Sequence, residues 1–344
     1  MKNDILISII VVNFNGIKFL GTCLNSIFLE KNNLYEVIVV DNGTQKKIIV
    51  EFKKKYTKEK RLYFINLKKN IGPAGARNIG ATASKGKYLL FLDYDAQIKK
   101  GWFKETINLF NRYKDVGGYQ PKILKKGTDF YDYAGDYLSP LGFLIERARG
   151  VKDEGQFDQI VPIFSAKGAC MIIKKNIFEN IGGFDNDYRY LWEEPDLTWR
   201  IWLAGYKVMF TPTITVWHAY VTKEKNTQYY EKSDVTYLGS RNNVLTLIKN
   251  LELKNAIYII PLNIFSLFIL SLLFFLRLNF YRSYSIIRGI TWNIKNISIT
   301  LKKRQKIQQS RKVGDSKIFK IIMKNANLLY YLGKGISYIL GKPY

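Results

Sequence analysis

Tyr88-Leu89-Leu90-Phe91-Leu92-Asp93-Tyr94-Asp95 is the stretch on which the reading of this chain turns. Five apolar or aromatic residues in succession, without polar alternation, describe a strand covered on both faces. Two carboxylates follow it directly. Working toward the N-terminus, the same pattern recurs in Leu62-Tyr63-Phe64-Ile65, in Tyr35-Glu36-Val37-Ile38-Val39-Val40 and in the run of eight from Ile5 to Val12. That first run is too short for a membrane span or a signal peptide and ends in the turn Asn13-Phe14-Asn15-Gly16. Helical patterns separate the strands: Phe19–Leu29, a Lys-rich stretch after Asp41-Asn42-Gly43, and Asn78–Ser84. The β-α-β-α alternation predicts an α/β fold with a mostly parallel, doubly wound sheet. Ligands of such sheets bind beyond the carboxyl ends of the strands, which singles out Asn13, Asp41 and Asp93.

Composition limits the rest. The chain has 344 residues, of which 47% are hydrophobic and 24% charged, enough for a packed core and not the profile of a disordered chain. Its two cysteines form no disulfide framework or zinc cluster and are expected as buried filler. One histidine excludes any mechanism that needs two imidazoles. The formal net charge is +26, and from Arg277 to Tyr344 there are 15 basic residues against one acid, Asp315. So basic a tail points to a polyanion, either nucleic acid or the anionic face of a membrane.

Several stretches could carry chemistry. Asp93 and Asp95, two apart at a strand end, can approach one hard cation such as Mg2+ or Mn2+. Asp41 can accept from a base N–H or a ribose hydroxyl, or simply shape a turn. Asn70-Ile71-Gly72-Pro73-Ala74-Gly75-Ala76-Arg77-Asn78-Ile79-Gly80 reads as a small-residue loop running into a helix, with Arg77 a candidate diphosphate clamp. It matches neither a Walker A loop nor the dinucleotide fingerprint. Trp192-Glu193-Glu194-Pro195-Asp196-Leu197-Thr198-Trp199-Arg200 concentrates three acids at a helix start. One glutamate there could be a general base, while Asp196 and Arg200 at i, i+4 suit a structural pair. His218 could complete a carboxylate metal site.

Taken in order, these pieces resemble the family 2 glycosyltransferases, which have the GT-A fold. The likeness covers about residues 6 to 250. It runs from Ile9–Gly16 through Asp41-Asn42-Gly43, Asn70–Gly80 and Asp93-Tyr94-Asp95 to Gly168-Ala169-Cys170-Met171, Gly182-Gly183-Phe184-Asp185 and the Glu-Glu-Pro-Asp-Leu stretch. Pro121-Lys122, Arg241-Asn242 and the basic extension are similar to rhamnosyltransferase-like members. The resemblance implies inverting transfer of a hexosyl or deoxyhexosyl group from a UDP- or dTDP-sugar to a glycan hydroxyl, in polysaccharide or glycoprotein assembly. It implies donor contacts from Asn13, Asn15, Asp41, Asn70, Gly72, Arg77 and Asp93. It implies metal contacts from Asp95, Asp93 and His218, an acceptor side with Gly168, Trp192 and Asp196, and a base at Glu194 by position, with Glu193 beside it. A nucleotidyltransferase would need a basic triphosphate loop, and Asn13 to Phe19 offers only Lys18. A nucleic-acid binder would need a recognised module, which the tail lacks.

Three parts follow: a nucleotide-binding half over 1–115, an acceptor half over 116–250 and a membrane-associating extension over 251–344. Ala256 to Leu276 holds 21 residues without a charge, long enough to span a bilayer. Tyr284–Leu301 and Ile318–Leu340 look like amphipathic interfacial helices. A single crossing would separate the basic tail from the N-terminal domain, against the preference of basic segments for the cytoplasmic side. A re-entrant or in-plane segment avoids this. A second crossing in Tyr284–Leu301 would bury Arg288 and Lys295 at roughly 2.5–3.5 kcal/mol each. The expected site of action is the cytoplasmic face of the cell membrane, on a lipid-linked acceptor, without nucleic acid.

Overall fold

A computed structural model describes residues 4–219 and 232–325. The opening half alternates β1 (Ile7–Asn13), α1 (Ile17–Phe28), β2 (Tyr35–Asp41), α2 (Lys46–Lys54), β3 (Leu62–Asn66), α3 (Gly72–Ala83) and β4 (Tyr88–Asp93). Every residue of β1 and β2 is buried. Leu20, Cys23, Leu24 and Ile27 form the buried stripe of α1 at the spacing a one-sided helix requires. Both cysteines are buried, as filler.

The chain continues with β5 (Ala96–Ile98), α4 (Trp102–Arg112), β6 (Val116–Lys125), β7 (Tyr131–Tyr133), β8 (Asp136–Leu138), β9 (Leu144–Glu146), β10 (Val161–Pro162), β11 (Cys170–Lys174), α5 (Lys175–Asn180), α6 (Glu193–Leu203) and β12 (Lys207–His218). Strand order along the main sheet is β10-β12-β6-β11-β4-β1-β2-β3, with β5 on β12 and β7 on β6. β3, β2, β1 and β4 are mutually parallel, whereas β11 runs antiparallel to β4 and β6. The chain moves outward from β1 to β3 and then returns to the other side of β1. The reversal point therefore lies between the ends of β1 and β4, where a sheet of this kind opens a crevice.

Helices complete the described chain: α7 (Lys232–Asn250), α8 (Leu253–Leu276), α9 (Phe280–Lys295), α10 (Ile297–Ser310) and α11 (Asp315–Ile322). Among the described residues α8 is the one helix long and apolar enough to cross a membrane. It is not a buried core helix, since only 22% of its most apolar window is covered by protein. The interfacial pattern expected over Tyr284–Leu301 falls on α9 and α10. That over Ile318–Leu340 begins in α11, and its part beyond residue 325 lies outside the described residues.

α3 corrects the expected boundary. It begins at Gly72, not Asn78, so Gly75 and Arg77 are helical rather than in a loop. Pro73 sits in the first turn, where its missing N–H costs nothing. Gly80 lets the helix close on β1, because a Cβ there would lie 2.5 Å from Ile10 Cγ2.

Candidate active site

A cleft of about 620 Å³ opens at the reversal point, with Val12 and Asp93 from the ends of β1 and β4 in its wall. Eight of the expected site residues line it: Asn70, Arg77, Asp93, Asp95, Trp192, Glu193, Glu194 and His218.

Arg77 is the hub. Its guanidinium lies 3.1 Å from Asp93, 3.2 Å from Glu194 and 3.5 Å from Glu193. Burial opposes the charge, yet the three carboxylates outweigh it and raise Arg77 above its ordinary value. Arg77, expected as a diphosphate clamp, thus holds the acids together. Gly168 makes room for it: a Cβ there would sit 1.9 Å from Arg77 Nη2. The Gly168 N–H also donates to Glu194 Oε1 at 2.9 Å.

The two glutamates differ. The Glu193 side chain is 2% exposed and that of Glu194 is 15% exposed. Burial, then the neighbouring Glu194, pushes the Glu193 carboxyl well above its ordinary value, while Arg77 opposes the shift. Both glutamates line the cleft, and Glu194 is the more exposed of the two. Leu191 and Trp192, just before the pair, adopt left-handed φ of 65° and 69°, a strained conformation for large side chains. Asn242 of α7 holds that turn, its Nδ2 donating to the carbonyls of Tyr188 at 3.1 Å, Tyr190 at 2.8 Å and Leu191 at 2.7 Å.

On the other side, ligand atoms of Asp93, Asp95 and His218 all lie within 4.8 Å of one another. β12 places the histidine, since His218 pairs with Ala96 of β5 and the Ala219 N–H donates to the Asp95 carbonyl at 3.0 Å. His218 Nε2 lies 3.3 Å from Asp95, and Nδ1 lies 2.9 Å from Asp132, which Lys167 meets at 2.8 Å. Asp132 thus aims Nε2 at the acids, as outer carboxylates do for metal-binding imidazoles. Burial lowers the His218 pKa, but the bonds to Asp132 and Asp95 prevail and lift it to about 9. Burial likewise opposes the Asp132 charge, and His218 with Lys167 holds that carboxyl well below its usual range. Two carboxylates and an imidazole suit Mg2+ or Mn2+.

The remaining expected residues lie behind the wall. Asp41 is 1% exposed. Its oxygens accept from Asn13 Nδ2 at 2.7 Å and from the Thr44 N–H at 3.1 Å. The Asn15 N–H donates to Thr44 Oγ1 at 3.0 Å. Asn13, Asn15 and Asp41 shape the turn, while Phe14 and Asn42 line the cleft. Gly72, at φ 85°, packs against the Arg189 carbonyl, 2.5 Å from where a Cβ would be. Asp196 does not reach the cleft. It is fully buried between Arg200 at 2.8 Å and Lys249 at 2.9 Å, which bears out the i, i+4 pair and removes it from the acceptor side. Sequence reasoning missed Asp132 and Lys167, and it noted Arg241-Asn242 without reading the role of Asn242 in this turn. Of the two missed residues, Lys167 had a signal, its place beside Gly168.

Residues 8–182 match Glycosyl transferase family 2, and the chain belongs to that family. It is 29% identical over 187 residues to an uncharacterized glycosyltransferase of Rickettsia conorii, covering 52% of this chain and 28% of the relative. It is 25% identical over 210 residues to polypeptide N-acetylgalactosaminyltransferase 6 of Homo sapiens, covering 56% of this chain and 33% of the relative. The chain thus spans about a third or less of the length of these relatives. Among solved structures, GalNAc-T7 with UDP, GalNAc and Mn2+ superposes with a TM-score of 0.61 at 17% identity, over 87% of this chain and 58% of that one. S. aureus TarS 1-349 in complex with UDP-GlcNAc gives 0.59 at 16% identity, over 98% and 93%. These likenesses establish the GT-A arrangement: a mixed, mostly parallel sheet followed by helices.

Proposed function

We propose that the protein transfers a sugar from a nucleoside-diphosphate donor to a hydroxyl of a glycan acceptor, inverting the anomeric carbon. One observation carries this reading. Arg77 ties the acid at the end of β4 to the acid at the start of α6, so a cation site and a carboxylate base face one cleft. Glu194 takes the acceptor proton, and the freed oxygen bonds the anomeric carbon on the face opposite the diphosphate. The bond from that carbon to the diphosphate oxygen breaks, and its electron pair leaves with the diphosphate. Asp93, Asp95 and His218 would hold a divalent cation, which when bound neutralises charge on the departing diphosphate. Glu193, more deeply buried beside Glu194, packs against Arg77.

UDP- or dTDP-sugars are the donors this reading favours, supported by the UDP and UDP-GlcNAc bound in GalNAc-T7 and TarS. A hexosyl or deoxyhexosyl group and a rhamnosyltransferase-like place in polysaccharide or glycoprotein assembly remain part of it. They rest on Arg241-Asn242 and the basic helical extension. A panel of nucleotide sugars, with and without Mn2+, read as released nucleoside diphosphate, tests it. Metal-dependent release from one or two donors is expected. No release from any donor, with an acceptor extract present, overturns the reading.

A further inference from the structure

The geometry points to α8 as a surface that lies flat on an anionic lipid leaflet, holding the rim of the cleft against the membrane. For the acceptor, a glycan presented at that surface, this rests on the sugar-transfer reading. The docking itself does not.

The buried stripe of α8 is narrow: Ala256, Ile259, Asn263, Leu267, Ser271 and Phe274. Those positions recur every three or four residues and run about 27 Å along the helix at 1.5 Å per residue. Protein covers the stripe from end to end. Ile259 meets Gly142, Asn263 Nδ2 donates to the Leu141 carbonyl at 2.8 Å, and Ser271 Oγ lies 2.9 Å from Ser283 Oγ. The opposite face is bare and apolar, with Ile257 59%, Phe265 63% and Leu272 56% exposed. Soluble surfaces rarely leave so long an apolar strip open.

The shape of this contact separates lying from spanning. A helix that crossed the bilayer would carry the 139–143 turn and α9, with Arg282 and Arg288, into hydrocarbon, where ionised groups are costly. A helix in the plane keeps both on the water side and sinks only its open face. Charge names the partner. From Leu253 to Ser310 there is no Asp or Glu, while nine residues are Lys or Arg. Arg277, Arg288 and Lys295 are exposed. Tyr258, Tyr281 and Tyr284, also exposed, are of the type that settles at lipid–water boundaries.

The neighbouring helix α9, packed on α8, borders the cleft. Arg282 lines the cleft and stands 5.4 Å from the ring centre of Phe274. Leu144 and Glu146, in the facing wall, follow directly from the turn on which α8 packs.

The test uses the full chain and vesicles of phosphatidylcholine with and without phosphatidylglycerol. Cosedimentation with the anionic vesicles is expected, weakening as salt rises. Phe265→Asp with Leu272→Asp, both exposed, should reduce binding at least tenfold while donor-dependent release of nucleoside diphosphate with a soluble acceptor is unchanged. Environment-sensitive labels on single cysteines at 257, 265 and 272, the native thiols being buried, should report one shallow depth. A label at 265 much deeper than those at 257 and 272 would mean a crossing and overturn the inference. So would equal binding to neutral vesicles, or a dimer in ultracentrifugation that the double variant dissolves without any vesicle binding. Loss of sugar transfer in the wild-type chain with vesicle binding intact would count against the catalytic reading alone.

Discussion

Arg77 sets the electrostatics of the site at the scale of one residue. Three carboxylates share one guanidinium that is 4% exposed, so removing it leaves buried negative charge uncompensated. Arg77→Ala should destabilise the fold by about 3–5 kcal/mol, read as a lower urea midpoint. Glu194→Gln keeps the shape but not the proton acceptor. Turnover should drop by roughly 10²–10⁴-fold with donor affinity held, and equal losses in both would exclude Glu194 as the base. His218 gives a pH signature. Its pKa in the folded, metal-free chain is raised from 6.5 to about 9, so its contribution to stability is complete below pH 6.5. That contribution is lost as pH rises through about 9. Melting temperature without metal should decline across this window, and His218→Gln should flatten the decline. A proton and Mn2+ compete for Nε2, so calorimetric Mn2+ affinity should rise over the same range.

At the scale of elements, the constraint is how α6 is presented. Gly168→Ala pushes a methyl group into a guanidinium that three carboxylates pin in place. A cost of about 1–3 kcal/mol and a misplaced Glu194 should appear together as a lower melting temperature and a lower kcat. Asn242→Ala frees three carbonyls of the strained turn before α6. It should lower kcat more than it raises the donor KM, since it displaces the glutamates at the start of α6 and leaves Asp93 and Asp95 untouched. This also explains what could be read from sequence. β1, β2 and β4 were legible because a mostly apolar run, broken only by Ser8 in β1 and Glu36 in β2, suits a strand covered on both faces and little else. Asp93, Asp95, Glu193, Glu194 and His218 stood out because each closes a strand or opens a helix. α3 was read too short because Gly72, Pro73 and Gly75 resemble loop residues until one sees the neighbours that demand small side chains. Asp132 stayed hidden because its meaning is a contact with His218 across 86 positions, which no local pattern records. Asp41 takes the turn-shaping alternative that its strand-end place also allowed, tying its own loop through Asn13 and Thr44.

Across the whole molecule, the helical extension is not an appendage. Lys249 of α7 is 1% exposed and reaches Asp185 at 2.6 Å and Asp196 at 2.9 Å, while Lys303 of α10 binds Asp185 and Asp187, both at 2.6 Å. Burial opposes the Asp185 charge, yet Lys249 and Lys303 hold that carboxyl well below its usual range. A chain cut after Asn250 loses the Lys303 contacts and uncovers α7. It should melt at a lower temperature and bind a fluorescent hydrophobic dye, whereas an independent catalytic half would keep the parent's transition. The ion web also limits how such proteins can be recombined. A chimera that joins a foreign tail after Asn250 keeps Lys249 but leaves Asp185 and Asp187 without Lys303. Successful hybrids must therefore carry a lysine at that position or give up those aspartates, so the two parts have to change in step.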